Sequence, residues 1–231
     1  MNDQLLNSGL TKPFFLVLVL MLGVLPVGSV AYGEVTHNGL PPVVVLEDFQ
    51  HPDEDAFPQG WEGSRSKVTA KEAYSIHKEG ETAFLKGKGA NQRVYTKHII
   101  WDPKTHPILR WRWRIHSVPD NTEFIAAVFA NLDLDYLFIP VSTKYVWSGT
   151  REKGDVKDGG IFSAAEVVIR SGNGPIGEWI EEEVNAYQDF KDIHNHDPAP
   201  QAWGISLQSG PGVEVDFGSI EISEKKGPER K

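Results

Sequence analysis

The sequence has 231 residues, with 23 basic and 32 acidic side chains, a formal net charge of −9 and no cysteine. A pI of about 5.4 argues against a general nucleic-acid or anionic-membrane binder, which would carry a basic surface. Without cysteine there are no disulfides and no lipidated-cysteine anchor, so the fold must be held by its core.

Lys12 is followed by an apolar run from Phe14 to Val27 and then by Ser29-Val30-Ala31. This order predicts a secretory signal over residues 1–31, cleaved after Ala31. The alternative is a retained anchor, but the run is short for a span of about 20 apolar residues, and Gly23 and Pro26 interrupt it. The sequence holds no Asn-x-Ser/Thr sequon. The expected location is therefore a bacterial periplasm or exterior, with no membrane insertion once the signal is removed.

Residues 32–42 read as a polar leader, and VVVLEDF (43–49) as the first strand. Further strands are predicted at 67–76, 82–86, 93–99, 108–117, 123–131, 138–147, 163–171, 177–184, 202–208 and 213–223. Gly, Pro, Asn and Asp clusters separate most of them, the pattern of an antiparallel sandwich. One short helix is predicted after Asn185, where Tyr187, Phe190, Lys191 and His194 take helical spacing and Asp189 sits near the start. Residues 224–231 form a charged tail. The prediction is an all-β, single-domain antiparallel sandwich over 43–223.

LRWRWRI (109–115) alternates Leu109, Trp111, Trp113 and Ile115 with Arg110, Arg112 and Arg114. As a strand it has one aromatic face and one cationic face. The aromatic face is the one a sandwich would bury. The cationic face needs either cross-strand Asp and Glu or a ligand whose acid groups the guanidinium forks can grip.

Other constellations are weaker. HNHDP (194–198) offers His194, His196 and Asp197 as metal ligands but lacks a spaced partner motif. DLD (133–135) and EEE (181–183) supply carboxylates at strand spacing, where two acid groups could serve glycoside cleavage, and DLD reads equally as a turn or a calcium-favouring loop. RSGNGPIG (170–177) lacks the Lys-Ser/Thr of a phosphate loop and is predicted as a hairpin turn. YVWSGT (145–150) sets Tyr145 and Trp147 on one strand face beside a charged loop, as core or as a sugar platform.

LRWRWRI, KYVWSG (144–149), VVIRSGNGPIGEW (167–179), VNAYQDF (184–190) and VEVDFGSIEI (213–222) occur in that order. The set resembles the bacterial domain of unknown function 3047 family over residues 45–222. The resemblance implies an exported sandwich in the style of jelly-roll sugar-binding domains, and no activity. It carries over the positions Arg112, Arg114, Tyr145, Trp147, Arg170, Ser171, Trp179 and Asp189. The chain departs from the family pattern at DNTEFIAAVF and LQSGPGVEVD. The leading expectation is a non-catalytic binder of a carbohydrate or similar polar or anionic ligand. Trp147 or Trp179 would stack on the sugar, and Arg112, Arg114 and Arg170 would donate hydrogen bonds. Two alternatives stay open: a glycoside hydrolase or lyase using Asp189 or Glu181, and an envelope protein-interaction module. No cofactor is predicted, and loop carbonyls leave room for calcium.

Overall fold

The structure, a computed structural model, describes residues 41–225 except 90, 98 and 161–163. The predicted signal, nearly all of the leader and most of the tail lie outside the described residues.

In chain order the elements begin with β1 (Val43–Glu47), β2 (Glu62–Gly63), α1 (Lys67–Ala73), β3 (Tyr74–Glu79), β4 (Thr82–Lys88) and β5 (Arg93–Lys97). The long central strands β6 (Ile108–Ser117), β7 (Phe124–Leu134) and β8 (Pro140–Ser148) follow. Then come β9 (Val156–Lys157), β10 (Ala165–Ser171), β11 (Ile180–Asn185), α2 (Ala186–His194), β12 (Gly204–Ser209) and β13 (Glu214–Ser223).

They form two sheets. The first runs β11-β6-β13-β4-β3, with β1 continuing the edge of β13 beyond β4. The second runs β2-β5-β12-β7-β8-β10-β9. Leu109, Trp111, Trp113 and Ile115 of β6 turn inward and meet Tyr145 and Trp147 of β8 between the sheets. Alternation along β6 therefore sets the core, as the sequence predicts. Five of the seven tryptophans are enclosed, and only Trp179 and Trp203 keep part of their surface.

The predicted all-β sandwich is the observed architecture, with three local differences. Residues 67–76 divide into helix α1 and strand β3. The Ser66 hydroxyl caps the helix by accepting from the Thr69 amide at 3.1 Å, and Ala70 and Ala73 face the core. That cap outweighs the β-branched Val68 and Thr69. β10 pairs parallel to β8, so one pairing departs from the antiparallel rule. RSGNGPIG is not a hairpin turn. It carries the chain from β10 in the second sheet to β11 in the first.

The helix after Asn185 forms as predicted, with the Asn185 side chain accepting from the Gln188 amide and Asn195 closing the other end in the left-handed region. Among the described residues no helix is long and apolar enough to cross a membrane.

Candidate functional site

The outer face of the first sheet carries the arginine row, and most of it is neutralised internally. Arg110 pairs with Glu183, its register partner on β11. Arg114 donates to Asp216 of β13 at 2.7 and 3.0 Å and to Glu79 of β3 at 2.7 and 3.2 Å. Asp216 is fully buried and also holds His116 Nε2 at 2.6 Å. Arg112 lies across Gly218, where even a Cβ would come within 2.5 Å of its side chain. Its guanidinium sits 4.7 Å from the Trp179 ring centroid, and that of Arg114 sits 4.5 Å from the same ring. Phe84 meets Trp179 edge-on at 5.6 Å. Of the predicted site residues, Arg112, Arg114 and Trp179 thus come together, but as a lattice in which acids and rings already occupy most of the cations.

The other predicted positions are elsewhere. Tyr145 and Trp147 are wholly enclosed, so no sugar ring reaches them. Tyr145 donates its hydroxyl to Asp189 Oδ2 at 3.1 Å, which ties α2 to β8. Arg170 donates to Glu182 Oε1 at 2.6 Å, and Trp113 Nε1 donates to the same oxygen at 3.3 Å. This pair clips β10 of one sheet to β11 of the other, apart from Arg112 and Arg114. Ser171 donates to the Arg151 carbonyl and helps pin the loop after β8.

Burial raises the pKa of Asp189 above its ordinary value of 3.8, against the hydrogen bond from Tyr145. A carboxyl whose folded pKa is raised subtracts stability at neutral pH and gives it back as pH falls through that raised value. Asp189→Asn is therefore expected to be at least as stable as the parent at pH 7. The two unfolding midpoints should converge as pH is lowered toward 4, which thermal unfolding across that range would measure. A variant weaker at pH 7 than at pH 4 would show the charge itself to be stabilising.

The acidic and histidine motifs are structural in their surroundings. Asp135 Oδ1 accepts from the amides of Leu137 and Ile139 at 2.8 Å each, closing the turn between β7 and β8. Glu181 faces solvent across Arg112, whereas Asp189 turns toward Tyr145, so the two carboxylates have separate surroundings. His194 packs on Phe190 at 4.3 Å, and burial lowers its pKa. Among the described residues no group of three or more His, Asp or Glu side chains converges as a metal site.

The outer face of the second sheet is different, and sequence reading passed over it. A hollow of about 600 Å³ is bordered by Arg93, Ser142 and Asp135, and one of about 330 Å³ by Arg93, Lys144 and Gln208. They share Arg93 and Ala164 and so adjoin. Phe129 lies beneath the Arg93 guanidinium at 5.3 Å. Beside it runs a buried polar relay: Ser142 Oγ donates to Asn131 Oδ1 at 2.6 Å, and Asn131 Nδ2 donates to Ser206 Oγ at 2.9 Å. Tyr95 stands two residues from Arg93 on the same strand face and meets Trp203 at 5.6 Å. Trp203 borders a third hollow of about 420 Å³. Both rings are partly exposed. The available signal was RVYTK (93–97), where alternation about the buried Val94 sets Arg93 and Tyr95 outward.

Comparison with known families connects this frame to the resemblance read from the sequence. Residues 138–209 match the family model Protein of unknown function (DUF3047). The DUF3047 match runs from the turn before β8 to the end of β12. It contains Tyr145, Trp147, Arg170, Trp179, Asp189, Ser142 and Trp203 and leaves Arg93, Tyr95, Arg112 and Arg114 outside. No curated protein matches the chain. Among solved structures, a family 11 carbohydrate-binding module of a Clostridium thermocellum cellulosomal cellulase is similar, with 9% identity, 81% of this chain and 98% of that chain covered, and a TM-score of 0.43. The K1 cleaved adhesin domain of Lys-gingipain from Porphyromonas gingivalis gives 11% identity, coverage of 79% and 98%, and a TM-score of 0.42. A mannan-recognising carbohydrate-binding module gives 10% identity, coverage of 80% and 99%, and a TM-score of 0.38.

Proposed function

We propose that this protein is an exported, non-catalytic β-sandwich that binds an oligo- or polysaccharide along the outer face of its second sheet. The observation that carries the reading is the furrow itself. Two adjoining hollows share Arg93, the smaller is bordered by the polar side chains of Ser64, Asn91, Lys144 and Gln208, and both share a sheet face with the partly exposed Tyr95–Trp203 pair. A saccharide needs both kinds of surface. Aromatic rings take its C–H faces, and fixed polar groups take its hydroxyls. Export rests on the signal-like order of residues 1–31. The first sheet's arginines are mostly committed to Glu79, Glu183, Asp216 and Trp179, so this reading moves the ligand away from them.

Titration calorimetry of the full chain with a panel of oligosaccharides tests the proposal, with product analysis of the same mixtures. Saturable binding without new products is expected, and Trp203→Ala should weaken it by about ten-fold or more. Unchanged affinity in that variant would remove the Tyr95–Trp203 pair from the binding surface, and unchanged affinity in Gln208→Ala as well would remove the smaller hollow. The interaction-module reading has one observation in its favour. The turn closed by Asp135 presents Tyr136 and Phe138 at 86% and 82% exposure. Absence of heat with every sugar would favour that reading.

A further inference from the structure

Charge is uneven along the furrow. Arg65, Arg93 and Lys144 border the smaller hollow against a single carboxylate, Glu166, in a chain of net charge −9. Lys144 is occupied, since its Nζ donates to Glu166 at 2.8 Å. Four arginines elsewhere in the fold take carboxylates as partners: Arg110 holds Glu183, Arg114 holds Asp216, Arg151 holds Asp155 and Glu166, and Arg170 holds Glu182. Among the described residues Arg65, Arg93 and Arg112 form no such pair, and of these three only Arg93 borders both hollows. Burial lowers its pKa from the ordinary guanidinium value, and among the described residues no carboxylate offsets this. A partly desolvated guanidinium without a counter-charge is costly, and the Arg93 Cζ sits 5.3 Å from the Phe129 ring centroid. The same side chain borders the larger hollow together with the Ser142 hydroxyl and with Asp135, Asp158 and Asp192, none of which pairs with it, so the acid group is placed on the side of the smaller hollow.

We infer that Arg93 grips the carboxylate of a hexuronic acid unit in the saccharide bound along the furrow. The planar fork of an arginine matches a carboxylate with two parallel hydrogen bonds, and the acid group supplies the missing counter-charge. The smaller hollow then takes the acid, while the larger hollow and the Tyr95–Trp203 pair take neutral ring surface. This inference rests on the saccharide reading above.

The test is calorimetric titration of the full chain with a trigalacturonate and with its carboxyl-reduced, neutral counterpart. The acidic trimer should bind about ten-fold or more tightly than the neutral one. Arg93→Ala should bring the acidic trimer down to the neutral affinity and leave the neutral affinity nearly unchanged. Arg93→Lys, which keeps the charge and loses the fork, should recover only part of the difference and carries the test if the alanine variant fails to fold. Arg110→Ala on the other sheet removes the same charge and should leave the ratio as it was. Equal binding of the two trimers, or a preference that survives Arg93→Ala, overturns the role of Arg93 while the saccharide reading stands. Binding of neither overturns that reading, and this inference with it.

Discussion

Replacing Trp113 by alanine is expected to cost about 3–5 kcal/mol of stability, the range for deleting a large enclosed aromatic side chain. The indole has no exposed surface, meets Trp111 edge-on at 5.5 Å and Trp147 at 5.4 Å, and donates to Glu182. Its loss opens a cavity midway between the sheets, where strands already paired on both sides cannot close in to fill it. For a domain of this size each kcal/mol moves the midpoint by about 2–4 °C, so thermal unfolding should fall by roughly 6–20 °C. Glu182 keeps Arg170, so the clip between β10 and β11 should persist and the variant should still unfold cooperatively. A fall of only about 2 °C would mean that the aromatic row is not the core.

Asp216→Ala is expected to destabilise the fold by a similar amount, about 3–5 kcal/mol. The carboxylate has no solvent exposure, and Arg114, itself nearly enclosed, leans on it through two nitrogens. Removing it strands a buried guanidinium with the more exposed Glu79 and frees His116 from its contact with Asp216. Urea unfolding should show a lower midpoint with an unchanged slope, because the fold and the surface it exposes are the same. Glu79→Ala is the comparison and should do far less, since that carboxylate reaches from an exposed strand end. If the two substitutions cost the same, the network is a surface one. The arginine row would then be freer for a ligand than its geometry indicates.

The sandwich could be read in the sequence because β6 alternates strictly. A pleated strand sends Leu109, Trp111, Trp113 and Ile115 one way and the arginines the other, and only the first set can be buried. The helix after Asn185 was legible for a similarly local reason, the helical spacing of Tyr187, Phe190, Lys191 and His194 with Asp189 near the start. Helix α1 was not. Its cap depends on one serine hydroxyl, and its apolar face consists of two alanines that meet the core only once the strands are assembled.

The candidate site was harder to read. Trp111, Trp147, Trp179 and Trp203 look alike as letters, and local pattern could separate only the first from a binding surface. Tyr145 and Trp147 went to the interior because β8 is central in its sheet and faces the tryptophans of β6. Trp179 was covered by two arginines from a neighbouring strand. Local pattern and composition were enough for the class of fold, the buried face of β6 and the acidic balance of the chain. The tertiary structure decided which cations find carboxylates. That depends on cross-strand register and on side chains a hundred residues apart, so Arg114, prominent in the sequence, is held by Asp216, while Arg93, inconspicuous there, borders a hollow with no paired carboxylate among the described residues.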